Sequence, residues 1–170
     1  CSPAIDAGDD ALAGVDQRGL PRLFGAHVDI GAFELQTVPS QDCWTLTSAP
    51  TQHWVSVASS ADGTKLVALV NDSPTGTVYV STNSGATWTK ANAPAEDWVA
   101  VASSADGVRL VAAAQTYPTG PVYISTNSGA TWTQATAPAQ QWSGVASSAD
   151  GQKLVLVAQT YPTGPIYSST

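Results

Sequence analysis

Apolar and polar positions alternate in short runs between residues 54 and 168, and the runs recur in a fixed order. Trp54-Val55-Ser56-Val57-Ala58 alternates, Lys65-Leu66-Val67-Ala68-Leu69-Val70 is almost continuously apolar, and Thr77-Val78-Tyr79-Val80-Ser81 alternates again. The alternating runs predict strands, and the continuous one predicts a strand covered on both faces between neighbouring sheets. Ser60-Ala61-Asp62-Gly63 and Ser73-Pro74-Thr75-Gly76 supply the turns between them. Trp88-Thr89-Lys90-Ala91 follows as a fourth, more polar strand.

The whole order returns 44 residues later and then begins again. Trp54, Trp98 and Trp142 share one phase, as do Asp62-Gly63, Asp106-Gly107 and Asp150-Gly151, then Leu66, Leu110 and Leu154, then Tyr79, Tyr123 and Tyr167. Trp44, Trp88 and Trp132 form a second tryptophan register. Residues that recur in every unit serve the unit, so the indoles are read first as structural. Four antiparallel strands in about 44 residues is the size of one propeller blade. The expected organisation is a lone fourth strand at 44–49, blades at about 54–92 and 98–136, and a partial blade at 142–170. Propellers have four to eight blades. Closure is therefore expected to need the remaining blades of a parent chain, the simpler route, or assembly of copies.

Between the third and fourth strands lies Ser81-Thr82-Asn83-Ser84-Gly85-Ala86-Thr87-Trp88, repeated unchanged as Ser125-Thr126-Asn127-Ser128-Gly129-Ala130-Thr131-Trp132, with a third copy beginning at Ser169-Thr170. Gly85 and Gly129 suit a tight turn with positive φ. Asn83 and Asn127 fold their side chains onto backbone groups that the turn removes from the ladder, and Ser81 and Ser125 add a hydroxyl to the same network. Trp88 and Trp132 are expected to be largely buried beneath the turn. The octapeptide resembles the Asp-box, or BNR repeat, S-x-D-x-G-x-T-W, of sialidases, sortilin-type receptors, xyloglucanase-like glycosidases and photosystem II assembly-factor-like propellers. That resemblance covers residues 44–170 and implies an all-β propeller. Both copies depart from it in carrying Asn where the box is named for Asp, which keeps the acceptor and discards the charge.

The first forty residues read differently. Val28, Ile30 and Phe33 sit among Gly, Pro and Asp, which predicts turns and one or two short strands. Ser2-Pro3-Ala4-Ile5-Asp6-Ala7-Gly8, Asp16-Gln17-Arg18-Gly19 and Val28-Asp29-Ile30-Gly31-Ala32-Phe33-Glu34 resemble, in that order, the closing rungs of right-handed parallel β-helix domains of bacterial surface and secreted proteins. The resemblance implies a domain end at 1–40 in which Asp16, Arg18 and Asp29 fix local loops. A calcium site at Asp9, Asp10 and Asp16 lacks the D-x-D-x-D-G loop that would converge enough oxygens.

Composition narrows the function. Hydrophobic residues make up 43% and charged residues 11% of the chain, so Ser, Thr, Asn and Gln must cover the surface, as in many extracellular β-proteins. The net charge of −7 argues against nucleic acid and anionic membrane as partners, and no apolar run is long enough to insert in a bilayer. Two cysteines, Cys1 and Cys43, either pair or stand as separate thiols, and no Cys/His cluster suggests a metal or any cofactor.

A sialidase-like hydrolase would, by resemblance, need three arginines, a tyrosine nucleophile paired with a glutamate, and an aspartic acid. The repeats hold one arginine, Arg109, and one glutamate, Glu96. Arg109 falls in the phase of Lys65 and Lys153, which reads as a solvated hairpin charge. His27 and His53 have no visible catalytic partners. The expectation is a non-catalytic extracellular or cell-surface binding or scaffold module for a glycan or protein ligand. Tyr117 and Tyr161, in the two Gln-Thr-Tyr-Pro-Thr-Gly loops, are its candidate contacts. The alternative is a hydrolase propeller whose catalytic residues lie outside this segment.

Overall fold

The computed structural model describes residues 45–72, 76–159 and 163–169. The chain divides into two units, Cys1–Leu46 and Thr47–Thr170. The β-helix reading of residues 1–40, the Asp9-Asp10-Asp16 group, His27, Trp44 and both cysteines lie outside the described residues, as does Tyr161.

The second unit is all-β. Its described residues form eleven strands: β1 (Trp54–Ser59), β2 (Leu66–Val70), β3 (Thr77–Ser81), β4 (Thr89–Lys90), β5 (Trp98–Ser103), β6 (Leu110–Ala114), β7 (Val122–Ser125), β8 (Thr133–Gln134), β9 (Trp142–Ser147), β10 (Leu154–Ala158) and β11 (Ile166–Ser168). They make two four-stranded sheets, β1-β2-β3-β4 and β5-β6-β7-β8, and a three-stranded sheet β9-β10-β11. Neighbours are antiparallel, as short turns between consecutive strands require. Each sheet is one repeat, and the repeats are the blades of an incomplete β-propeller.

Alternation along the second strand of each blade is what joins blades. Val67 and Leu69 of β2, with Val78 of β3, pack against Trp98, Val101, Leu110 and Ala112 of the second blade. One repeat on, Val111, Ala113 and Val122 pack against Trp142, Leu156 and Ala158 of the third. All five residues of β6 are buried because its two faces serve two different junctions. Each of the two junctions therefore joins the trailing face of one blade to the leading face of the next.

Aromatic rings line the leading faces. Trp98 stands 5.6 Å from Tyr123 in an edge-on arrangement and 6.4 Å from Trp132, and Trp54 repeats this with Tyr79 at 5.4 Å and Trp88 at 6.2 Å. Such pairs contribute about 0.5–1.5 kcal/mol each beyond the area they bury.

Two expectations need correction. Trp88 and Trp132 are half-buried, and the completely buried indoles are Trp98 and Trp142. Trp98 and Trp142 are roofed by the preceding blade, whereas Trp132 only flanks the buried cluster of its junction; on the first blade, with no blade before it among the described residues, Trp54 and Trp88 are both half-buried. Residues 45–49, read as a fourth strand, form no strand. Instead Ser48 Oγ donates to Ala86 O at 2.6 Å, which holds this stretch along the first octapeptide. The fourth strands that do form, β4 and β8, are two residues each, because the octapeptide turn occupies the chain up to the tryptophan.

Candidate functional site

The two octapeptides share one hydrogen-bonded turn. Ser81 Oγ donates to Asn83 Oδ1 at 3.0 Å and accepts from Gly85 N at 2.9 Å, while Asn83 Oδ1 also accepts from Thr87 N at 2.9 Å and its amide donates to Thr87 Oγ1 at 2.9 Å. Ser125, Asn127, Gly129 and Thr131 repeat these bonds at nearly the same distances. The backbone turns through positive φ twice, at Ser84 (56°) and Gly85 (83°), and again at Ser128 and Gly129. Trp132 Nε1 donates to Gly129 O at 3.1 Å, tying the ring to the turn above it. The Ser81, Asn83, Ser125 and Asn127 side chains are engaged within their turns, whereas the Trp88 indole N–H is buried without a partner.

A second repeated network sits at the Asp-Gly turns. Ser60, Ser104 and Ser148 donate to Asp62, Asp106 and Asp150, and the same hydroxyls accept the backbone N–H of Lys65, Arg109 and Lys153 at 3.0 Å. The serine bond, followed by backbone N–H donors, holds each carboxyl below its ordinary value, at about 2 for Asp62. These turns also join blades: Ala61 N donates to Ala105 O at 2.8 Å, and Ala105 N to Ala149 O at 2.7 Å. Lys65 lays its stem under Gly107 of the next blade and donates from Nζ to Asp106 O at 3.0 Å. Arg109 lies the same way against Gly151. The reading of Arg109 as a solvated hairpin charge is thereby corrected, since its aliphatic part belongs to a blade-to-blade clasp.

Glu96, the one glutamate of the repeats, meets Tyr123. Tyr123 Oη donates to Glu96 Oε1 at 3.1 Å, and in the next repeat Gln140 Nε2 donates to Tyr167 Oη at 3.1 Å. Burial, followed by the bond and the charge of Glu96, pushes the Tyr123 phenol up. That direction is opposite to what would arm a phenol for attack, and the neutral amide of Gln140 makes the equivalent contact. His53 Nδ1 bonds Asn71 O at 2.9 Å at the end of the β1–β2 ladder.

Among the described residues, the loop between β6 and β7 stands outside these networks. It contributes Thr116, Thr119 and Gly120 to a groove of about 320 Å³ whose other wall carries Glu96, Tyr123 and Gln134. Thr116 Oγ1 is buried there with no hydrogen-bond partner. From the same loop the ring of Tyr117 projects 86% exposed. Among the described residues no group of three or more His, Cys, Asp or Glu could hold a metal ion, and no helix is long and apolar enough to cross a membrane.

Three repeated antiparallel blades, joined leading face to trailing face, define the class: a β-propeller array. No protein-family model matches the chain, and no curated protein sequence matches it. Solved structures do resemble it. TolB from Acinetobacter baumannii superposes over 65% of this chain with a TM-score of 0.50 at 15% identity, and a protein designated TolB from Agrobacterium tumefaciens over 66% with a TM-score of 0.51 at 16% identity. The matched region spans 28% and 40% of those two chains, so the likeness is one of blade architecture.

Proposed function

We propose that this chain is a non-catalytic binding module, built from Asp-box-type blades in an extracellular or cell-surface protein, whose ligand contact is the loop around Tyr117. The exposed Tyr117 ring beside the polar groove carries this reading. A large ring held in water is a stacking platform for the C–H face of a sugar, and hydroxyl, amide and carboxylate groups along an adjacent groove match the hydroxyls of a glycan. The recurring serine, asparagine and aspartate side chains are committed to turns, which supports a binding role over hydrolysis. A surface with few charges supports the extracellular assignment. By the same phase Tyr161 is the second contact.

A glycan array probed with the full chain and with Tyr117→Ala tests the proposal. The expected result is retention of one saccharide class by the parent and its loss in the variant, with the melting temperature unchanged. Absence of saccharide binding, or binding equal in the two proteins, overturns it; capture of a protein ligand instead would move the loop to a protein-recognition role.

A further inference from the structure

Glu96 breaks the repeat at a position where Gln52 and Gln140 stand in the neighbouring units. Gln140 Nε2 donates to Tyr167 Oη at 3.1 Å, and Glu96 Oε1 accepts from Tyr123 Oη at the same distance. A blade therefore holds its tyrosine as well with an amide as with a carboxylate, and the charge of Glu96 is surplus to the blade. Tyr123 takes Oε1, and no described residue donates to Oε2. The side chain is half-buried on the wall of the groove of about 320 Å³. No Lys, Arg or His lines that groove, whereas the first blade has Lys90 at the position of Gln134. The rest of the lining suits a sugar ring: Pro121 and Pro138 give apolar walls, and the exposed Thr119 and Gln134 give hydroxyl and amide groups.

We propose that this groove selects amino sugars, a protonated amine of the saccharide donating to Glu96 Oε2 while its ring lies against Pro121 and Pro138. The inference rests on the reading of the Tyr117 loop as a glycan contact and adds to it the class of sugar. An ammonium group bonded to a carboxylate in a partly dry groove makes a charge-assisted pair, stronger than a neutral hydroxyl in the same place. Acetylation of the nitrogen removes that charge. A carboxylated or sulfated sugar would bring like charge towards Glu96, and the lining holds no cation to offset it. The acid thus works by exclusion as well as by attraction. A lysine side chain of a protein would offer the same charge without a ring to cover the apolar walls.

Calorimetric titration of the full chain at physiological ionic strength, with a glucosamine tetrasaccharide and with its fully N-acetylated form, tests this. The amine form is expected to bind roughly tenfold more tightly, the low end for a hydrogen bond to a charged group. Glu96→Gln matches the residue type of the other two repeats, so the melting temperature is expected to hold while the two sugars come to bind alike. Tyr117→Ala is expected to weaken both sugars and keep their ratio. Asp150→Asn removes a charge from a turn outside the groove and is expected to keep the preference of the parent. Equal binding of the two sugars by the parent overturns the inference, as does a preference that survives Glu96→Gln or is lost in Asp150→Asn; weakening of both sugars by Tyr117→Ala still upholds the loop reading in those cases. An amine preference with affinities untouched by Tyr117→Ala supports the groove and overturns the Tyr117 reading alone. Binding of neither sugar, or equal displacement by a lysine tetrapeptide, overturns the assignment to amino sugars.

Discussion

The side chain of Arg109 lies against Gly151 of the following blade so closely that a Cβ there would stand 2.6 Å from both Arg109 Cβ and Cδ. Gly63 has nearly the same φ, 69° against 68°, but open space around it. The pair separates two costs that usually travel together. Alanine at Gly63 meets only left-handed backbone strain, roughly 1–2 kcal/mol. At Gly151 it must also displace the Arg109 stem, adding about 1–3 kcal/mol of overpacking. Urea unfolding of Gly63→Ala and Gly151→Ala is expected to rank Gly151→Ala as the less stable. Equal midpoints would show that the stem moves aside without cost.

The Asp-Gly turns also set the acid response. Asp62, Asp106 and Asp150 are held below the ordinary 3.8, first by the serine hydroxyl and then by backbone N–H donors. A carboxyl depressed in the folded state contributes stability that is full above its unfolded value and is lost as pH falls through the folded one. For Asp62 that window runs from about 4 down to about 2. Thermal melts between pH 5 and pH 2 are therefore expected to fall more steeply for the parent than for the triple Asp62→Asn, Asp106→Asn, Asp150→Asn variant, whose amides keep an acceptor but do not titrate. Parallel curves would remove these turns from the acid response.

Much of the architecture is legible in the sequence because propeller blades repeat their chemistry in phase. The continuously apolar Leu110–Ala114 run is a strand covered on both faces, and the Ser81–Trp88 stretch is the turn before a short fourth strand. Depth within a junction is not legible in this way. Trp132 and Trp98 are equally apolar and equally periodic, and only the neighbouring blade decides which one it roofs. Likewise Lys65 and Arg109 look like hairpin charges, since charge and stem are written with one letter. Their in-phase placement before the next Ala-Asp-Gly was the available signal. The meeting of Glu96 with Tyr123 bridges 27 positions, and Gln140 in the equivalent place masks any pattern of charge.

The asparagine of the octapeptide offers the sharpest test of the turn. Asn127 Oδ1 accepts from Ser125 Oγ and Thr131 N, and its amide donates to Thr131 Oγ1. Asn127→Ala removes the acceptor, leaves the buried Ser125 hydroxyl without it, and is expected to cost roughly 1–3 kcal/mol. Asn127→Asp keeps both accepted bonds and makes them charge-assisted, while the Thr131 hydroxyl can rotate to donate to the carboxylate. At pH 7 the aspartate variant is therefore expected to be at least as stable as the parent. Because those donors lower the folded carboxyl below its unfolded value, the gain is full above about pH 4 and fades on acidification, a dependence the parent asparagine cannot show. Melting the three proteins at pH 7 and pH 3 decides it. If the aspartate variant is destabilised at pH 7 as much as the alanine variant, the amide donor, and not the shared acceptor, holds this turn.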